Sequence, residues 1–142
     1  VPSNPQGTIM PDNKAFVQSL YAAFGRGDIP FILAHVDGSI EWVSSGSAER
    51  IPWGGARKGR AGAESFFQAL AEHLEFERFE PRDFAADGKL VFVHGRTVAK
   101  VKQTGRRFDS EWVHRFDITE GRVTRWQEFY DTDAILAALA GR

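Results

Sequence analysis

The segment from Arg107 to Ile118 constrains this chain more than any other. Phe108, Ser110, Trp112, His114, Phe116 and Ile118 alternate with Arg107, Asp109, Glu111, Arg115 and Asp117, and Val113 is the one exception. A sustained period of two marks a strand with one face buried and the other in water. Such a strand needs partners in a sheet and a layer to cover its apolar side. The partners lie next to it in sequence. Residues 89 to 102 place Val91, Val93, Gly95, Thr97, Ala99 and Val101 on one face, and Thr104-Gly105 turns them into the central strand. Glu120-Gly121 turns that strand into another at 122 to 131. Residues 75 to 84, with Phe76, Phe79 and Phe84, are expected to add a strand, although Pro81 is at odds with it.

The covering layer comes from the other half of the chain. Residues 12 to 25 carry Phe16, Val17, Leu20, Tyr21 and Phe24 at helical spacing, with Pro11-Asp12 as cap and Gly25 and Gly27 as stop. Asp28 caps a second, short helix with Pro30 in its first turn and Ile29, Ile32, Leu33 and Val36 on its buried face. Asp37-Gly38 then turns the chain into a short strand in which Ile40, Trp42 and Ser44 share a face. A Ser, Gly and Pro-rich loop is expected over 45 to 61. A third helix follows, with Ala63, Phe66, Phe67, Leu70 and Leu74 on one stripe, and a last helix follows Asp131. Helices first and strands later is an α+β order. Residues 12–142 are expected to form a single domain, and residues 1–11, which end just after the sole methionine, a disordered or appended leader.

Composition narrows the partners. A formal net charge of -1 predicts no nucleic-acid and no anionic-membrane partner. No apolar run approaches the ~20 residues of a membrane helix. With no cysteine, disulfides, thiolate nucleophiles and Cys-based metal sites are excluded, which suits a cytoplasmic location. His35, His73 and His94 fall on separate elements without companion ligand spacing, so metal: none is the expectation, and no cofactor is implied. Gly54-Gly55-Ala-Arg-Lys-Gly-Arg60 lacks the Gly-Lys-Ser/Thr end of a phosphate loop, and its basic residues read as a solvated loop.

The order of elements resembles the NTF2-like superfamily, and within it the SnoaL-like, ketosteroid isomerase-related proteins. The resemblance is carried by Tyr21-Ala-Ala-Phe-Gly-Arg-Gly-Asp28, Trp42, Gly59-Arg-Ala-Gly62 before Phe66-Phe67, the Thr104-Gly105 turn, Trp112-Val-His114-Arg-Phe116, Gly121-Arg-Val123 and Arg125-Trp-Gln-Glu-Phe-Tyr-Asp-Thr132. It implies a cone-shaped, curved, mixed or antiparallel sheet wrapped around helices, with a pocket at its open end. Members of the superfamily include isomerases, cyclases, hydrolases, dehydratases and pure binding domains, so the fold leaves the function open.

The inward faces name a candidate site. Trp112 and His114 point in with the central strand. On the last strand Trp126, Glu128 and Tyr130 share one face, and Val123, Arg125, Gln127, Phe129 and Asp131 the other; periodicity alone leaves the choice open. The resemblance selects the first, because related enzymes carry a carboxylate two residues after a Trp on that strand. Pairing through the Glu120-Gly121 turn then sets His114 opposite Glu128, an imidazole and a carboxylate suited to acid/base work. Glu128 and His114 are the catalytic candidates. Trp42, Ser44, Trp53, Thr97, Trp112, Trp126 and Tyr130 are the expected pocket wall.

Departures from the related enzymes limit the chemistry. Alignment with ketosteroid isomerases sets Leu20 at their helix tyrosine, Ser44 near the general base and His114 near the second acid. The Arg and Asp of the epoxide hydrolases are replaced inward by Thr97 and Ala99, with Arg96 on the opposite face. The expectation is cofactor-free isomerase, cyclase, dehydratase or hydrolase chemistry on a small apolar or aromatic ligand; the alternative is a non-catalytic binding or interaction module. Leu90, Phe92 and Val98 beside His94 make the outer face apolar, and the resemblance implies a homodimer through it.

Overall fold

The computed structural model describes residues 12–141, so the expected leader lies outside the described residues. Four helices and six strands follow in order: α1 (Asn13–Gly25), α2 (Ile29–Ala34), β1 (Val36–Ser44), β2 (Gly55–Lys58), α3 (Gly59–His73), β3 (Leu74–Asp87), β4 (Leu90–Val101), β5 (Arg107–Thr119), β6 (Arg122–Tyr130) and α4 (Thr132–Leu139). One curved, unclosed sheet takes the order β2-β1-β6-β5-β4-β3. Only β1 and β6 run parallel.

Local chemistry sets the helix ends. Asp12, Asp28 and Asp131 accept hydrogen bonds from the backbone N–H of Ala15, Phe31 and Ala134, covering donors that a helix start leaves bare. Val17, Leu20 and Ala23 of α1, Ile32 of α2, and Ala63 and Phe66 of α3 turn into the concave side. There they meet Val91, Val93, Ala99, Trp112, Phe116 and Trp126 from the sheet.

Several boundaries differ from the sequence expectation, each for a reason. The chain enters β1 directly at Val36, and a register shift between Val36 and Glu41 absorbs Asp37-Gly38 within the strand. The expected loop contains β2, a four-residue edge strand; Gly-Ala-Arg-Lys has no apolar alternation to announce it. Leu74 leaves the helix stripe and opens β3. Pro81 is tolerated because β3 is the sheet edge and its register shifts between Pro81 and Asp83. Another shift, between Asp117 and Ile118, pairs Ile118 with Val123. The extra residue turns Val123 inward, onto the same side as Trp126, where strict alternation would have faced it out.

The outer face also needs correction. It is crossed by ion pairs: His94 with Asp83 and Glu111, Arg96 with Asp109, Arg115 with Asp117, and Arg125 with Glu41. Its large exposed apolar side chains are Phe92 and Phe129, at 41% and 48% exposure. Among the described residues no helix is long and apolar enough to cross a membrane.

Candidate active site

The concave side of the sheet does not fill completely. It leaves a cavity of about 110 Å3 between the sheet and helices α1 and α3. A volume of that order holds one six-membered ring. Nearly every lining group is aromatic or aliphatic.

The polar end is built by register. Trp42 pairs with Trp126 and Ser44 with Glu128 across β1 and β6, while His114 lies directly opposite Glu128 across β5 and β6. Three neighbouring strands thus bring Ser44, Glu128 and His114 side by side, all pointing inward. Glu128 Oε1 accepts from Ser44 Oγ at 2.5 Å, and Oε2 lies 3.0 Å from His114 Nε2. His114 Nδ1 lies 2.7 Å from the Tyr21 hydroxyl on α1. The partners dictate the proton positions. With the carboxylate accepting at Oε2, the neutral imidazole that fits carries its proton on Nε2 and accepts the Tyr21 hydroxyl proton at Nδ1. Beyond Ser44, the Tyr130 hydroxyl donates to the Ser45 carbonyl.

Burial makes this chain of bonds matter. The His114 and Glu128 side chains are 6% and 11% exposed. A buried carboxylate without donors is strongly disfavoured, and here both oxygens are served. Both tyrosines are held protonated. Burial raises Tyr21 well above its ordinary value, and the nearby Glu128 charge raises it further. Burial likewise raises Tyr130, reinforced by Glu128 and partly offset by bonds from Ser44 and Trp53 and by the Arg57 charge.

Rings clamp the imidazole. Trp112 stacks on His114 with centroids 3.9 Å apart, and Trp126 meets it edge-on at 5.0 Å. Trp112 is held in turn by its own N–H, which donates to Thr97 Oγ1 at 2.8 Å. On the other wall Trp42 stacks on Trp126 at 4.3 Å. Trp53, in the loop after β1, is 2% exposed and closes one side.

Glu128, His114, Trp42, Trp53, Thr97, Trp112, Trp126 and Tyr130 therefore all line one cavity. Ser44 stands behind the wall and reaches it through Glu128. The residue that sequence reading missed is Tyr21. Alignment placed Leu20 at the helix tyrosine, yet the adjacent Tyr21 supplies the hydroxyl, and Leu20 contributes only apolar wall. A tyrosine on a buried helix face needs a partner for its hydroxyl, and that was the available signal. The basic loop is also reassigned. Arg57 donates to the carbonyls of Pro52, Trp53 and Gly54 and to Ser65 Oγ, and Arg60 to those of Leu33 and Val36. These guanidiniums hold backbone, and Arg57 pins the loop that carries Trp53.

Comparison with known proteins places this architecture. The sequence profile described as a SnoaL-like domain matches residues 17–126. An NTF2-like protein from Burkholderia xenovorans LB400 is 34% identical over 87% of this chain and 92% of its own, with a TM-score of 0.78. An NTF2-like protein from Burkholderia pseudomallei K96243 is 25% identical over 91% of this chain and 98% of its own, at TM-score 0.82. TerC, co-crystallised with polyporic acid, is 27% identical over 89% of this chain and 96% of its own, at TM-score 0.78. No curated protein matches the sequence.

Proposed function

The chain belongs to the SnoaL-like domain family, and from that premise we propose that its cavity takes a small, largely aromatic organic molecule and moves a proton on it. The observation carrying this reading is the unbroken line Tyr21–His114–Glu128–Ser44 set in an otherwise apolar wall. Glu128 is the base. It takes a proton from a carbon next to a ligand carbonyl; the C–H bond breaks, an O–H bond forms on the carboxylate, and the electron pair moves onto the ligand as an enolate. Returning the proton to a second carbon completes an isomerisation. His114 and Tyr21 hold the carboxylate in place and can pass a proton along their line. The residues supply the acid and base themselves, which is why the reading calls on no cofactor and no metal.

The test is exchange of carbon-bound protons of ring ketones in heavy water, followed by NMR. Wild type should accelerate the exchange, and Glu128→Gln should lose at least about a hundredfold of that rate. Equal rates would remove Glu128 from the chemistry. One observation favours a second reading, a binding module without turnover: Ser44 and His114 already engage both carboxylate oxygens, as in a purely structural network. Quenching of tryptophan fluorescence by ligands that undergo no exchange would support it.

Two further expectations become proposals here. The outer face would pair two copies of the chain around Phe92 and Phe129, the exposed apolar rings on it. A cytoplasmic setting would suit a chain without cysteine.

A further inference from the structure

One polar atom of a cavity-lining residue has nothing to bond. Among the described residues none accepts a hydrogen bond from the indole N–H of Trp42, and the atom is sealed from water. Trp42 as a whole is 4% exposed. Leaving such a donor bare is costly, and native proteins rarely do so without a reason. By contrast Trp112, the stacked ring across the cavity, donates to Thr97.

The surroundings say what the missing acceptor is. The rings around Trp42 are Trp126 at 4.3 Å and Phe66 and Phe67 at 5.5 Å, none of which offers an oxygen. Of the three, Phe67 is only half-buried and also lines the cavity, so it is the ring an acceptor must displace to reach the N–H. The acceptor is not an anion, for two reasons. The Glu128 charge is two residues along the sheet from the Trp42–Trp126 pair, a backbone distance of about 7 Å, and it already disfavours negative charge on both tyrosines. The nearby guanidiniums of Arg57 and Arg60, which could have balanced an anion, are committed to backbone carbonyls.

We infer that Trp42 Nε1 is the donor that reads a neutral carbonyl oxygen of the ligand, such as that of a ketone, aldehyde or quinone, lying within one ring's length of the group that faces Glu128. The inference rests on the reading of the cavity as a site for an organic ligand. It makes Trp42 a specificity-determining residue in addition to a wall.

Acetophenone and ethylbenzene, alike in size and differing in the carbonyl, are the probes, with affinities measured by calorimetry on the full chain. Trp42→Phe keeps an aromatic ring against Trp126 and deletes the N–H. It should weaken acetophenone by roughly fivefold to tenfold, as expected for one hydrogen bond, and leave ethylbenzene within about twofold. A second measurement holds even if that variant does not fold. In 15N-labelled wild type the Trp42 indole proton should move downfield on adding acetophenone and not on adding ethylbenzene, which controls for the ring's own effect. Equal weakening of both probes, no weakening of either, or an indole proton indifferent to the carbonyl overturns the inference and leaves the cavity reading intact. Failure of wild type to bind either probe defeats the cavity reading, and the inference with it.

Discussion

Replacing Gly95 with alanine should damage this protein from inside the site wall. Gly95 sits in the middle of β4, paired with Pro81 on one side and Trp112 on the other. A Cβ there would stand 2.3 Å from Trp112 Cζ2, 2.4 Å from Cη2 and 2.6 Å from the backbone oxygen of Glu80. Carbon atoms rest at about 3.5–4.0 Å, so the indole would have to retreat by more than about an ångström. It has little room to do so. His114 stacks on it at 3.9 Å and Phe79 at 5.2 Å, and its N–H is tied to Thr97. The Glu80 contact is to backbone, which no change of rotamer relieves. Overpacking of this kind costs about 1–3 kcal/mol, and losing the Trp112–Thr97 bond adds about 1 kcal/mol. Alanine's advantage over glycine within a strand returns about 0.5–1 kcal/mol. The balance is a loss of about 1–3.5 kcal/mol, or roughly 3–12 °C in Tm. Urea unfolding followed by circular dichroism measures it. Gly25→Ala is the control, because at the end of α1 an added Cβ meets nothing within 4 Å. If Gly95→Ala unfolds within about 0.5 kcal/mol of wild type, then Trp112 does not lie across Gly95 and the stacked wall is wrongly drawn.

Three other outcomes are expected. Tyr21→Phe leaves His114 Nδ1 without its donor in a buried site, so urea unfolding should show a loss of about 1–2 kcal/mol; an unchanged midpoint would detach α1 from the site. His94 is held above its ordinary pKa, first by its bond to Glu111 and then by its bond to Asp83. Its contribution is therefore fully present below the unfolded-state value of about 6.5 and lost as pH rises through the raised folded-state value. The Tm difference between wild type and His94→Gln should be larger at pH 5.5 than at pH 9, and a difference independent of pH would contradict this. Phe129→Glu should convert a sedimenting dimer to monomer if the outer face pairs two copies, whereas identical sedimentation would place any pairing elsewhere.

The sheet was legible because burial on one face writes itself as alternation. In β5 each inward residue alternates with an outward one, and the observed burial follows that pattern throughout; Val113, the one apolar residue of the outward set, is half-buried like its outward neighbours Arg115 and Asp117. The helix caps were legible for a similar reason, since Asp12, Asp28 and Asp131 satisfy donors of the turn they begin. The face of β6 was not settled this way, because its two sides are about equally apolar and a bulge breaks the period between Trp126 and the turn. Nor was β2, whose edge position asks little of its side chains.

What the sequence determined by itself was written at short range: the α+β order, the turns at Thr104-Gly105 and Glu120-Gly121, the caps and the inward set of the central strand. Only the tertiary structure decided that Tyr21 of a helix meets His114 of a strand ninety-three positions later, and that Trp42 is left without an acceptor. Periodicity reports which way a side chain points from its own backbone. Which atoms it then meets depends on the curvature of the sheet and the seating of α1, and those are set by the packing of the whole core at once.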